Sequence, residues 1–156
     1  MRRKQCKCQR NTMPRKGAII PVLAITLPII VIFIGYSINI AYMELVRTEL
    51  RLTCDSAAKA ALVNYGATQS QSTAISFAQS VSTKNTVGGN AITIPTSQFN
   101  FGNATKGSNG SYQFNLGRNP INSVQVTGSA TLPLPIDGRV WTIHMFKVVL
   151  RNSHQP

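Results

Sequence analysis

Hydrophobic positions follow three regimes along this chain. From Ala18 to Met43, 26 consecutive residues carry no charge, and the strongest part, Ile19 to Ile40, is apolar on all sides. About 20 apolar residues span a bilayer core as a helix. The pattern therefore predicts a transmembrane helix over 18–43, with Ala18, Pro28, Gly35 and Tyr42 within it. Pro21 and Pro28 are tolerated in a membrane helix, with a kink near Pro28. Tyr36 and Tyr42 fall toward the exit end, where aromatic rings favour the interface. A buried core helix would need an apolar partner that the polar remainder does not supply. A cleaved signal peptide has a shorter apolar region and small residues at its cut, which Asn39-Ile40-Ala41 does not provide.

The second regime has helical spacing. Met43, Val46, Leu50, Cys54, Ala57 and Ala61 recur every three or four residues and share one face. The helix should therefore leave the bilayer and continue as an amphipathic stalk, with Glu44, Arg47, Glu49 and Arg51 as solvated charges. The Ala-rich stripe packs either on this chain's own domain or on another subunit. Gly66 should end the helix. A second helix fits Thr73–Ser82, with Ala74, Phe77, Ala78 and Val81 on one face, and Gly88-Gly89-Asn90 closes the helical region.

From residue 91 the period becomes two. Ile92 and Ile94, Phe99 and Phe101, Tyr112, Phe114 and Leu116, and Val124 and Val126 alternate with polar residues, as half-buried strands do. The intervening 102–110 and 117–120 are rich in turn formers. Residues 91–131 thus read as a small antiparallel meander. Leu132-Pro133-Leu134-Pro135 cannot be a central strand. Residues 139–150 alternate through Trp141, Ile143 and Met145 and fit one final strand better than an interfacial helix. The class is α+β, divided into a basic tail (1–17), a transmembrane helix (18–43), a helical stalk (44–90) and a β-rich domain (91–156).

Charge adds a direction. Of the 16 basic residues behind the net +12, seven lie between Arg2 and Lys16 with no acid among them. Such a tail beside a span suits anionic lipid better than nucleic acid. Basic flanks stay on the cytoplasmic side. The N-terminus is therefore expected in the cytoplasm of a bacterial plasma membrane, with the C-terminal domain outside. Cys6, Cys8 and Cys54 cannot form a disulfide scaffold, and Cys6 and Cys8 are too few for structural zinc.

Candidate chemistry is sparse. The acids are Glu44, Glu49, Asp55 and Asp137, and the histidines are His144 and His154. They support no catalytic triad, metal cluster or phosphate-binding loop, so no cofactor is expected and an enzyme is disfavoured. Asn103-Ala104-Thr105 and Asn109-Gly110-Ser111 fit the glycosylation pattern but read as turns.

Arg15-Lys16-Gly17-Ala18, the mid-span Pro28, Glu49-Leu50 and Asp55-Ser56-Ala57-Ala58 occur in an order and spacing that resemble the N-terminal module of TadG-like and TadE-like proteins of the tight-adherence (Flp) pilus system. The resemblance covers about residues 15–65. It implies a membrane-anchored, non-catalytic component of pilus assembly or of the cell envelope, meeting other assembly proteins through its stalk. Family members that are cut after the Gly carry Glu five residues later. Val22 stands there in this chain, so the resemblance implies an uncleaved anchor. The alternative is a tethered domain that binds a ligand or envelope polymer through its β-region.

Overall fold

A computed structural model describes residues 19–136, 138–144 and 148–151. The compact units divide at Ser37/Ile38. Helix α1, Ile19–Thr68, is continuous through Pro28. Within the apolar segment the hydroxyls are absorbed by the helix itself: Thr26 Oγ1 donates to the Val22 carbonyl at 3.0 Å and Ser37 Oγ to the Phe33 carbonyl at 2.8 Å. Such back-bonding hides polar groups that an apolar surrounding would penalise.

The helix runs past Gly66. Its stop is Gln69, at φ +53, whose N–H donates to the Tyr65 carbonyl at 2.8 Å. Ser70 then caps helix α2, Gln71–Ser82, with its hydroxyl accepting from the Thr73 N–H at 3.4 Å. The terminator is thus the residue that lets Ser70 begin the next helix. Ala74, Ala78 and Ser82, at intervals of four, form the buried face of α2. Phe77, expected on that face, is exposed.

Strands β1 (Thr86–Val87) and β2 (Asn90–Ala91) make a minimal hairpin. Ile92 and Ile94 keep the anticipated inward alternation but join no strand ladder. A short 3₁₀ turn at Thr96–Gln98 leads into β3 (Phe99–Lys106), β4 (Tyr112–Leu116) and β5 (Ser123–Val126). β6 (Ser129–Pro133) and β7 (Val140–His144) pair separately, and β8 (Val148–Arg151) closes the main sheet. That sheet is antiparallel in the order β4-β3-β5-β8. β5 therefore returns to the free side of β3 instead of following β4. The run over 139–150 is β-structured, but it divides between two sheets, with β7 on β6 and β8 on β5. Met145, in that run, lies outside the described residues, as does Asp137.

In the unit from Ile38 onward, one core joins helix to sheet. It holds Val46, Leu50, Cys54, Ala57, Ala58 and Ala61 of α1, Ala74 and Ala78 of α2, Phe99 and Phe101 of β3, and Val124 and Val126 of β5. The rings of Tyr65 and Phe101 lie 5.4 Å apart at 49°, a tilted geometry that aromatic pairs favour. The stalk's apolar stripe is therefore covered by this chain's own sheet. β4 lies at the sheet's edge, and its Tyr112 and Leu116 are exposed despite their alternation. Period two identifies a face, but the helix must lie over that face to bury it.

Asn103 corrects the reading of 102–110 as a turn. It is a buried strand residue in β3, and its Nδ2 donates to the Pro120 carbonyl at 2.6 Å. Asn109 is a turn residue, its Oδ1 accepting from the N–H and hydroxyl of Ser111 at 3.1 and 2.6 Å.

Candidate functional site

The site is built on α1. Its first part, from Ile19 through Ile34, presents large aliphatic side chains to the surroundings on every side. By length and composition α1 is able to cross a membrane, and none of its most apolar window is buried within the protein. Pro28, Gly35 and Tyr42 lie on this helix. Ala18, together with Arg15, Lys16 and Gly17, lies outside the described residues, as do Cys6 and Cys8.

Beyond the apolar segment, the Arg47 guanidinium contacts Glu44 Oε1 at 2.6 Å. Both side chains are at least half exposed, so the pair adds little stability. Glu49 does something different from the solvated role expected of it. It is half-buried, and its Oε2 accepts from the Gly88 N–H at 2.7 Å. The carboxylate thus ties the stalk to the turn between β1 and β2. Gly88 needs its missing side chain there: at φ +57, a Cβ would stand 2.7 Å from Leu132 Cδ1 and 2.9 Å from the Tyr42 hydroxyl. Tyr42 therefore packs into the domain instead of facing outward, while Tyr36 is exposed.

Leu50, Ala57 and Ala58 are wholly buried. Small residues let the helix backbone approach the sheet closely. The same closeness appears at Gly128, between β5 and β6, where an added Cβ would lie 2.5 Å from Cys54 Sγ and 3.3 Å from Leu50 Cδ1. Burial pushes the Cys54 thiol up from 9.0 to about 11, and the neighbouring Asp55 carboxylate adds to the rise. A thiol that stays protonated is a poor nucleophile, so Cys54 serves as a small apolar residue here. Asp55 itself is half-buried.

Among the described residues, no three His, Cys, Asp or Glu side chains converge as a metal site would need. The resemblance residues on the helix act together in packing: Leu50, Ala57 and Ala58 fill the helix–sheet contact, and Glu49 flanks it. The sequence reading did not foresee the Glu49–Gly88 link or the close approach at Gly128. It also missed the seating of the β6–β7 hairpin against Tyr42, Met43 and Val46, where Leu132, Leu134, Trp141 and Ile143 line an apolar groove. A glycine preceding a strand was the one available signal for the second of these.

One candidate membrane-spanning helix running on into an α+β head defines the class of chain. Residues 17–74, well under half of the 156, match the Tad family model, described as "Putative Flp pilus-assembly TadE/G-like". The stretch similar to that family begins at Gly17 and reaches the first turn of α2. No curated protein and no solved structure matches the chain.

Proposed function

We propose that this protein is a non-catalytic, membrane-anchored component of Flp-type pilus assembly, held in a bacterial plasma membrane with residues 1–17 in the cytoplasm and the head outside. The observation that carries this reading is the matched module itself, in which an apolar helix able to span a bilayer continues without a break into a stalk. The seven basic residues ahead of the helix support the direction. Lipid is then the first partner.

Other assembly or envelope proteins are the second. The Ala-rich stripe is occupied by the chain's own sheet, so such a protein would meet the opposite side of the stalk. Leu45, Leu52 and Val63 lie there, exposed and within about 20° of one another around the helix. Deletion followed by complementation tests the role. Surface pili and adhesion should be lost without the protein and return with the full chain. Unchanged pili and adhesion in the deletion strain would exclude it.

A further inference from the structure

The β6–β7 hairpin carries an apolar cluster that the helix–sheet core does not use. Ile136, Val140 and Trp141 are 54, 67 and 50 % exposed, and Pro135 beside them is exposed too. Exposing Ile, Val and Trp together at one hairpin end is unfavourable in water. Two backbone hydrogen bonds join the described residues on either side of this turn: the Leu134 N–H donates to the Arg139 carbonyl at 2.9 Å, and the Gly138 N–H to the Leu134 carbonyl at 3.2 Å.

The position of this turn says what covers it. The Ile136 N–H donates to Asn39 Oδ1 at 3.3 Å. Asn39 belongs to the uncharged stretch and lies five residues before Glu44, the first charge after it. On a helix that is about 7.5 Å toward the apolar end. The hairpin tip therefore reaches past the level of Glu44 to the level of the last apolar turns. A bilayer that surrounds α1 up to Ile40 meets the tip as well. Of the residues there, Trp141 suits the boundary between headgroups and acyl chains and Ile136 and Val140 suit the acyl side, while the charged Asp137 and Arg139 of the same turn restrict it to the headgroup level.

We propose that the tip of the β6–β7 hairpin, through Ile136, Val140 and Trp141, is a second membrane contact, seated in the lipid interface beside the point where α1 leaves the bilayer. This rests on reading α1 as a span. A head held in the membrane by the helix alone could tilt with it. A head held by the helix and a lipid-seated hairpin keeps one side toward the membrane, which limits the tilt of the stalk.

Trp141 is the only tryptophan, so its emission reports on this hairpin alone. The full chain is reconstituted into vesicles of phosphatidylcholine and phosphatidylglycerol. In a second set, the phosphatidylcholine carries bromine near the carbonyl end of its acyl chains. Emission should fall at least about twofold in the brominated vesicles, because the ring lies at the depth of the bromine, and acrylamide should quench it weakly. In the variant Ile136→Asp/Val140→Asp, bromine quenching should be largely lost and acrylamide quenching should rise, while flotation with vesicles is unchanged. The proposal is overturned if the chain floats but Trp141 answers to acrylamide and not to bromine. It is equally overturned if the variant is quenched by bromine as strongly as the parent. Failure of the chain to float would overturn the anchor itself, and this contact with it.

Discussion

Replacing Gly128 by Ala puts a methyl group where the β5–β6 connection lies against the stalk helix. The new Cβ would lie 2.5 Å from Cys54 Sγ, inside any real contact distance, and 3.3 Å from Leu50 Cδ1. Cys54 and Leu50 are wholly buried, so neither can swing into solvent. Overpacking of this kind costs about 1–3 kcal/mol. The backbone at Gly128 has no left-handed φ, so strain of that origin does not contribute. Cys54→Ala removes the offending sulfur and by itself costs about 1 kcal/mol, the loss of one buried group the size of a methylene plus a small void. In that background only the contact with Leu50 remains, and the far end of a Leu side chain can yield a few tenths of an ångström. Gly128→Ala should then cost half as much or less, giving a coupling of at least roughly 0.5–1.5 kcal/mol between two positions 74 residues apart in sequence. Urea unfolding of the four full-length forms in detergent micelles, followed by Trp141 emission, measures the cycle. Additivity within about 0.5 kcal/mol, or a neutral Gly128→Ala, would refute the packing of the stalk on its own sheet.

Cys54 offers an independent check in a chain carrying Cys6→Ser and Cys8→Ser. A maleimide at neutral pH should label the folded protein at least about 100-fold more slowly than the urea-unfolded one, because the thiol is buried and protonated. Its raised pKa also sets a pH dependence. The folded state holds the proton longer than the unfolded state, so this contribution is complete below pH 9 and is lost as pH rises through about 11. The loss is at most about 3 kcal/mol, and urea titrations should show it disappearing in Cys54→Ala. At Glu49, Ala should cost roughly 1–2 kcal/mol in the same unfolding assay by leaving the Gly88 N–H unpaired, whereas Gln, which keeps an acceptor oxygen, should cost less than half of that.

The helical half of the molecule was legible because it rests on local rules. An uncharged apolar run and spacing of three and four fix a helix and its inward face, and Val46, Leu50, Cys54, Ala57 and Ala61 are all buried. Which surface covers that face is a non-local matter. A stripe of small residues looks the same whether a sheet or a second subunit lies on it. The strands show the same limit. Phe99, Phe101, Val124 and Val126 point inward as their alternation implies, but alternation carries no information on strand order, so β5's return to β3 and the division of 139–150 between two sheets stayed hidden. Asn103 misled because Gly102-Asn103 has turn chemistry, and a partner carbonyl 17 residues away, at Pro120, makes it a strand residue instead. Glu49 was read as a surface charge because its neighbours are charged, while its partner is a backbone N–H 39 residues on.

The central claim, one span with the head outside, is tested most directly by labelling from one side of the membrane. Single cysteines are placed by Ser108→Cys, in the exposed turn between β3 and β4, and by Asn11→Cys, among the basic residues, each in a chain with Cys6→Ser, Cys8→Ser and Cys54→Ala. Spheroplasts are treated with a membrane-impermeant maleimide before and after lysis. The account predicts that Ser108→Cys is labelled before lysis and Asn11→Cys only after it. The reverse order, or labelling of both positions before lysis, would contradict it.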